Sequence, residues 1–152
     1  MSQKSERAII VRMIAILVFI YYMYVLLKHS IFTRILSGHA MRGLELIPFQ
    51  NTSALGSLFK ASTWTNADAL TPVAGHIVFF LPLGFILPFL DKRTKTYLPI
   101  LGVAAAISFS IEILQYLTKS GITSTDHLLL NLFGATLGYL LYKALRYAYM
   151  NS

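Results

Sequence analysis

The stretch from Tyr97 to Leu117, YLPILGVAAAISFSIEILQYL, is apolar over a membrane-crossing length and still carries a carboxylate, Glu112. About 20 apolar residues cross the ~30 Å hydrocarbon core of a bilayer. An ionisable side chain inside such a span costs several kcal/mol unless it snorkels or finds a partner, so it is retained mainly where it has a task. Glu112 sits about 7.5 Å past the middle of its span, at ~1.5 Å per residue, and therefore needs a partner or a proton.

The rest of the chain agrees with a membrane setting. Of 152 residues, 56% are hydrophobic and 12% charged, and the mean hydropathy is +0.63; an average soluble domain carries about 25% charged residues. Three further stretches approach membrane length: 8–27, 73–90 and 127–146, the last extended by the snorkelling stems of Lys143 and Arg146. The fold expected is an all-α membrane protein, a bundle of four transmembrane helices with a long interfacial or re-entrant segment, 28–71, between the first and second.

The net charge of +7 does not point to nucleic acid here, because the basic residues are spread over the connecting segments. Lys4, Arg7 and Arg12 lie at the start, Lys92, Arg93 and Lys95 in the turn between spans two and three, and Lys143 and Arg146 at the end. The positive-inside rule puts these three regions in the cytoplasm, with residues 1–7 as a tail and 8–27 as an uncleaved anchor. The expected location is the bacterial cytoplasmic (inner) membrane, with both termini cytoplasmic. Segment 28–71 and the 118–126 loop then lie outside. Lys28, Arg34, Arg42, Lys60 and Lys119 count against this orientation, although charge in long loops weighs less. The absence of cysteine removes disulfides and thiolate chemistry.

Helical spacing gathers the polar residues. Ala105, Ser108, Glu112 and Gln115 share one stripe of span three, and His127, Asn131, Gly134 and Gly138 one stripe of span four. The glycines of Gly134-x-x-x-Gly138 allow close helix approach, which predicts that spans three and four pack these stripes together. Glu112, Gln115, Asp126, His127 and Asn131 then converge at the outer end, where His76, Phe80 and Gly84 line a face of span two. Simpler roles compete: Asp126 as a helix N-cap, Gln115 and Asn131 as interhelical hydrogen-bond glue, and Gly84, Gly134 and Gly138 as packing alone. Glu112 resists such a reading best.

His76, Glu112, Asp126 and His127 include metal-capable donors, but no His-Glu-x-x-His-type spacing supports a metal, and no cofactor is expected. No nucleophile elbow or phosphate loop is present. In segment 28–71, Ile31, Phe32, Ile35 and Leu36, and later Leu55, Leu58 and Phe59, read as short amphipathic interfacial pieces. Between them Pro48 enforces an extended stretch at Ile47. This Arg42-to-Phe49 segment is expected to cover the polar site as a rigid apolar wedge.

Four motifs in order, Arg42-x-Leu44-x-Leu46-x-Pro48-Phe49, Phe80-x-Pro82-x-Gly84, Glu112-x-x-Gln115, and Asp126 with Asn131-x-x-Gly134-x-x-x-Gly138, resemble the VanZ-like family of small membrane proteins over about residues 42–142. The family's namesake is an accessory protein of glycopeptide-resistance clusters, associated with reduced susceptibility to teicoplanin. The chain departs from the family pattern at Glu45 and His76, where Asn is usual, and at Thr123, where a first Asp is usual. Glu45 is expected to replace the lost carboxylate in space and to pair with His76.

The function expected is a non-enzymatic envelope protein that lowers susceptibility to lipophilic glycopeptides. Its polar pocket, formed by Arg42, Glu45, Pro48, Phe49, His76, Glu112, Gln115, Asp126 and Asn131, would bind a membrane lipid or a lipid-linked cell-wall glycopolymer. An alternative is an intramembrane enzyme on a polyprenyl-phosphate or phospholipid, with Glu112 or His76 as general base and Arg42 holding phosphate. A second is a small proton-coupled transporter, disfavoured by the absence of a visible inverted repeat.

Overall fold

The computed structural model describes residues 3–36, 41–45, 47 and 67–151. Helix α1 (Gln3–Leu27) runs on through a π-helical turn (Lys28–Phe32) into the short α2 (Thr33–Leu36). Strand β1 (Met41–Glu45) follows, then α3 (Ala67–Leu90), a 3₁₀ turn (Lys92–Lys95), α4 (Tyr97–Leu117), strand β2 (Ser120–Ser124) and α5 (Thr125–Asn151). Four helical stretches are long and apolar enough to cross a membrane: Ile9–Phe32, Val73–Leu90, Tyr97–Leu117 and Thr125–Asn151. The fold is an all-α four-helix bundle of membrane type with a small sheet added at one end.

Helices α3, α4 and α5 form the core around Leu83, Ile100, Ala104 and Ala135, each with no exposed surface. The closest approach is between α3 and α5. A Cβ at Gly84 would collide with the Ala135 carbonyl, one at Gly134 with the Ile77 carbonyl, and one at Gly138 with the Leu81 carbonyl. This corrects the expectation that the Gly134–Gly138 stripe packs against span three: its partner is α3. The physical reason is that α5 lies between two neighbours. Its first turns reach both α3 and α4 through polar side chains, and further along, the small residues let the α3 backbone close in.

Helix α1 is held near its C-terminal end. Tyr22 and Leu26 are buried, and the Tyr22 hydroxyl donates to the Phe79 carbonyl at 2.8 Å. From Ile9 to Ile20 its large apolar side chains are mostly exposed, as expected of a surface that faces lipid. The helix does not stop at residue 27, because the π turn carries the apolar pattern through Ile31 and Phe32. Likewise α3 begins at Ala67 and α5 continues to Asn151.

At the opposite end of the bundle from the sheet, Thr94 closes the α3–α4 turn. Its hydroxyl lies 2.7 Å from the carbonyls of both Leu87 and Asp91, and the Tyr139 hydroxyl donates to the Lys95 carbonyl at 2.9 Å.

The sheet is the element that hydrophobic periodicity missed. Lys119 takes a left-handed φ of 53°, which ends α4 and turns the chain into β2. There β1 pairs in parallel, Met41 opposite Ser120 through Glu45 opposite Ser124. Two extended segments at the mouth of a membrane bundle satisfy each other's backbone groups, which neither segment could do alone. The second amphipathic piece expected, Leu55 to Phe59, lies outside the described residues.

Candidate functional site

The polar side chains meet where β2 joins the end of α4 to the start of α5, beside His76 of α3. Glu112 is buried on α4, with 6% of its surface exposed. Its Oε1 faces His127 Nδ1 at 3.0 Å, and its Oε2 accepts the backbone N–H of Ser124 at 3.2 Å. Both oxygens are therefore placed as acceptors, one for a side chain of α5 and one for the backbone of β2. The Thr123 hydroxyl adds a bond to the Glu112 main-chain carbonyl at 3.1 Å.

The His127 ring stacks on that of His76 with centroids 4.2 Å apart and planes inclined by 18°. His76 belongs to α3, so the stack joins the α4–α5 hairpin to span two. His76 Nδ1 lies 3.1 Å from Asn131 Oδ1, and the Asn131 amide nitrogen donates to the fully buried Ser108 hydroxyl at 2.8 Å. With its nitrogen committed to Ser108, Asn131 offers His76 its carbonyl, so His76 donates through Nδ1. A continuous polar chain results: Ser108, Asn131, His76, His127, Glu112, Ser124. It links all three core helices and the strand.

Gln115, one turn beyond Glu112, works in another direction. Its amide nitrogen donates to the Ser30 carbonyl in the π-helical turn at 2.9 Å, tying α1 to α4. Its buried Oε1 has no hydrogen-bond partner among the described residues. Close by in sequence, His29 stacks on Phe79 at 4.5 Å. A π turn opens the helix and is frequent at functional sites; here it places a carbonyl where Gln115 reaches it.

Asp126 is fully buried in the first turn of α5, where the helix dipole favours a carboxylate. The Ser124 hydroxyl accepts the Asp126 N–H at 3.3 Å and so caps the first turn of α5.

Of the pocket residues expected from sequence, Glu112, His76 and Asn131 come together in one chain. Gln115 and Asp126 flank it. Arg42 and Glu45 are placed by their backbone in β1, opposite Gly121 and Ser124; their side chains, and Pro48 and Phe49 altogether, lie outside the described residues. The register sets Leu44 opposite Thr123 and Glu45 opposite Ser124; the expected replacement of the lost acid by Glu45, and its pairing with His76, turn on a side chain outside the described residues. Gly84, Gly134 and Gly138 are packing positions. Sequence reasoning placed His127 and Ser108 on the right stripes without assigning them to the pocket. It missed Ser30, Tyr22 and the Ser124 N–H, since a backbone donor leaves no mark in side-chain patterns. Among the described residues no three His, Asp or Glu side chains gather as a metal-ligating group.

A groove of about 400 Å³ opens beside Glu112 between α4 and the start of α5. The chemistry available is a fixed acceptor carboxylate backed by an imidazole, reached through a largely apolar passage.

The bundle and its buried polar chain define a multi-pass membrane protein with a polar network inside its helical core. The chain belongs to the VanZ/LLP1 family, whose model matches residues 13–146. No curated protein and no solved structure matches it.

Proposed function

We propose that this VanZ/LLP1-family protein lies in the bacterial cytoplasmic membrane with both termini in the cytoplasm and the Glu112 end facing outward. There it binds a membrane lipid or a lipid-linked surface glycopolymer and thereby lowers susceptibility to lipophilic glycopeptides such as teicoplanin. The observation that carries this reading is the buried Glu112 carboxylate, fixed by His127 and by the Ser124 N–H at the edge of an open groove. A carboxylate kept in such a place and built into a network from three helices supports ligand recognition over simple packing. Arg34, Arg42 and Lys60, in the same outward segment, suit an anionic portion of the partner.

The test is Glu112→Ala in a teicoplanin-sensitive Gram-positive host. Protection is lost while the protein's abundance in membranes is unchanged. If the variant accumulates normally and protects as well as wild type, the polar chain is structural glue and the reading fails.

The His127–Glu112 contact of 3.0 Å also supports a second reading, an enzyme acting on a lipid with this pair as acid and base. Glu112→Gln separates the two: an enzyme loses nearly all activity, whereas a binding site that uses the group as a hydrogen-bond acceptor keeps part of the effect.

A further inference from the structure

The groove beside Glu112 has two chemically distinct parts. Phe109, Ile113 and Leu117, on its α4 side, are 62%, 43% and 67% exposed, so in a membrane protein this side is open to hydrocarbon. Toward β2 and the start of α5 the lining carries its polar residues, Glu112, Thr123, Ser124 and Thr125. A volume of about 400 Å³ falls within the roughly 300–1,000 Å³ of small-ligand sites.

The polar end has a definite preference. Each carboxylate oxygen can accept two hydrogen bonds, and among the described residues Oε1 and Oε2 of Glu112 receive one each, from His127 and Ser124. Acceptor capacity therefore remains on the group that lines the groove. Among the described residues no Lys or Arg lines it. A phosphate or carboxylate brought against Glu112 would meet a carboxylate in low-dielectric surroundings with no Lys or Arg from the described lining between them, whereas a donor would be welcomed.

We infer that the groove holds a hydrocarbon chain of a membrane amphiphile, and that Glu112 selects at its head a hydrogen-bond donor without negative charge, a hydroxyl or an ammonium group. The inference rests on the reading of Glu112 as a ligand-facing group and narrows it. Any phosphate on the same molecule lies beyond the Thr123–Thr125 rim, away from the carboxylate.

The experiment uses the full chain in lipid nanodiscs and three photoactivatable probes with the same diazirine-bearing hexadecyl chain, an alcohol, an amine and an acid, with cross-links mapped by mass spectrometry. The alcohol and the amine label the Phe109–Leu117 and Thr123–Leu128 segments about tenfold more than the acid, the scale of one hydrogen bond to a charged group. Ile113→Trp, which fills the groove, loses this labelling for every probe, and Leu117→Trp does the same should the first variant fail to fold. Leu140→Trp, on an exposed surface of α5 away from the groove, leaves it unchanged. Glu112→Gln keeps the alcohol and erases the discrimination against the acid. Equal labelling by acid and alcohol in the wild type, or undiminished labelling in a folded groove-filling variant, overturns the inference. Should Glu112→Ala abolish protection in cells while the probes show no head-group preference, the proposed function stands and this inference alone falls; if preference is present and protection is unaffected, the reverse holds.

Discussion

The Glu112 carboxylate accepts the backbone N–H of Ser124 at 3.2 Å, so α4 holds in place the strand that follows it. Because Ser124 also pairs with Glu45 of β1 and caps α5, one carboxylate fixes the roof of the site, the start of the last helix and, through His127, the link to α3. Its variants are therefore read with abundance in membranes and function measured together.

Asn131 offers a cleaner measure of the polar chain. Ser108→Ala and Asn131→Leu each break the 2.8 Å bond between them, and the double variant is expected to be less destabilised than the sum of the singles by roughly 0.6 to 2 kcal/mol, the range for interhelical hydrogen bonds in membranes. Melting in detergent under one set of conditions gives the cycle. Strict additivity would show that the bond contributes nothing.

Glycine positions separate contact from free surface. Gly138→Ala drives a methyl into the Leu81 carbonyl and is expected to cost about 1 to 3 kcal/mol. Gly102→Ala meets no atom within 4 Å and is expected to be neutral, or to stabilise α4 by up to about 1 kcal/mol through helix propensity. If melting temperatures rank the two variants the other way, α3 and α5 do not meet along this stripe.

The attachment of α1 near its C-terminal end predicts a graded series. Leu26→Ala, at 1% exposure, is expected to cost about 2 to 5 kcal/mol. Tyr22→Phe, which deletes the bond to the Phe79 carbonyl, is expected to cost about 0.5 to 1.5 kcal/mol. Leu17→Ala, at 66% exposure, is expected to change little. Equal losses at Leu17 and Leu26 would mean that the first half of α1 packs on a partner in the membrane.

Orientation is tested by single cysteines in this cysteine-free chain. The exposed Lys119 and Lys95 serve as reporters at the two ends of the bundle. With the Glu112 end outward, Lys119→Cys reacts with an impermeant maleimide in intact cells and Lys95→Cys reacts after permeabilisation alone. The opposite pattern would turn the site toward the cytoplasm and remove the glycopeptide reading.

The sequence by itself determined the membrane setting, the four spans and the sharing of a stripe by Ser108 with Glu112 and by His127 with Asn131. Each follows from apolar run length and from a period of 3.6 residues, both of which are local quantities. Only the tertiary structure decided which neighbour each stripe meets. A helix face is fixed by its own residues, but its partner depends on how three helices divide the space around one another. The Gly134–Gly138 stripe accordingly closes on α3, while Asn131, one step along it, reaches both α3 and α4. The parallel pairing of Met41–Glu45 with Ser120–Ser124 was equally beyond a local reading, because it joins backbone groups far apart in the chain whose side chains carry no sign of it. Glu112 declared itself in the sequence by the cost of burying a charge, whereas its stabilising partners, an imidazole fifteen residues on and a main-chain N–H, were chosen by the fold.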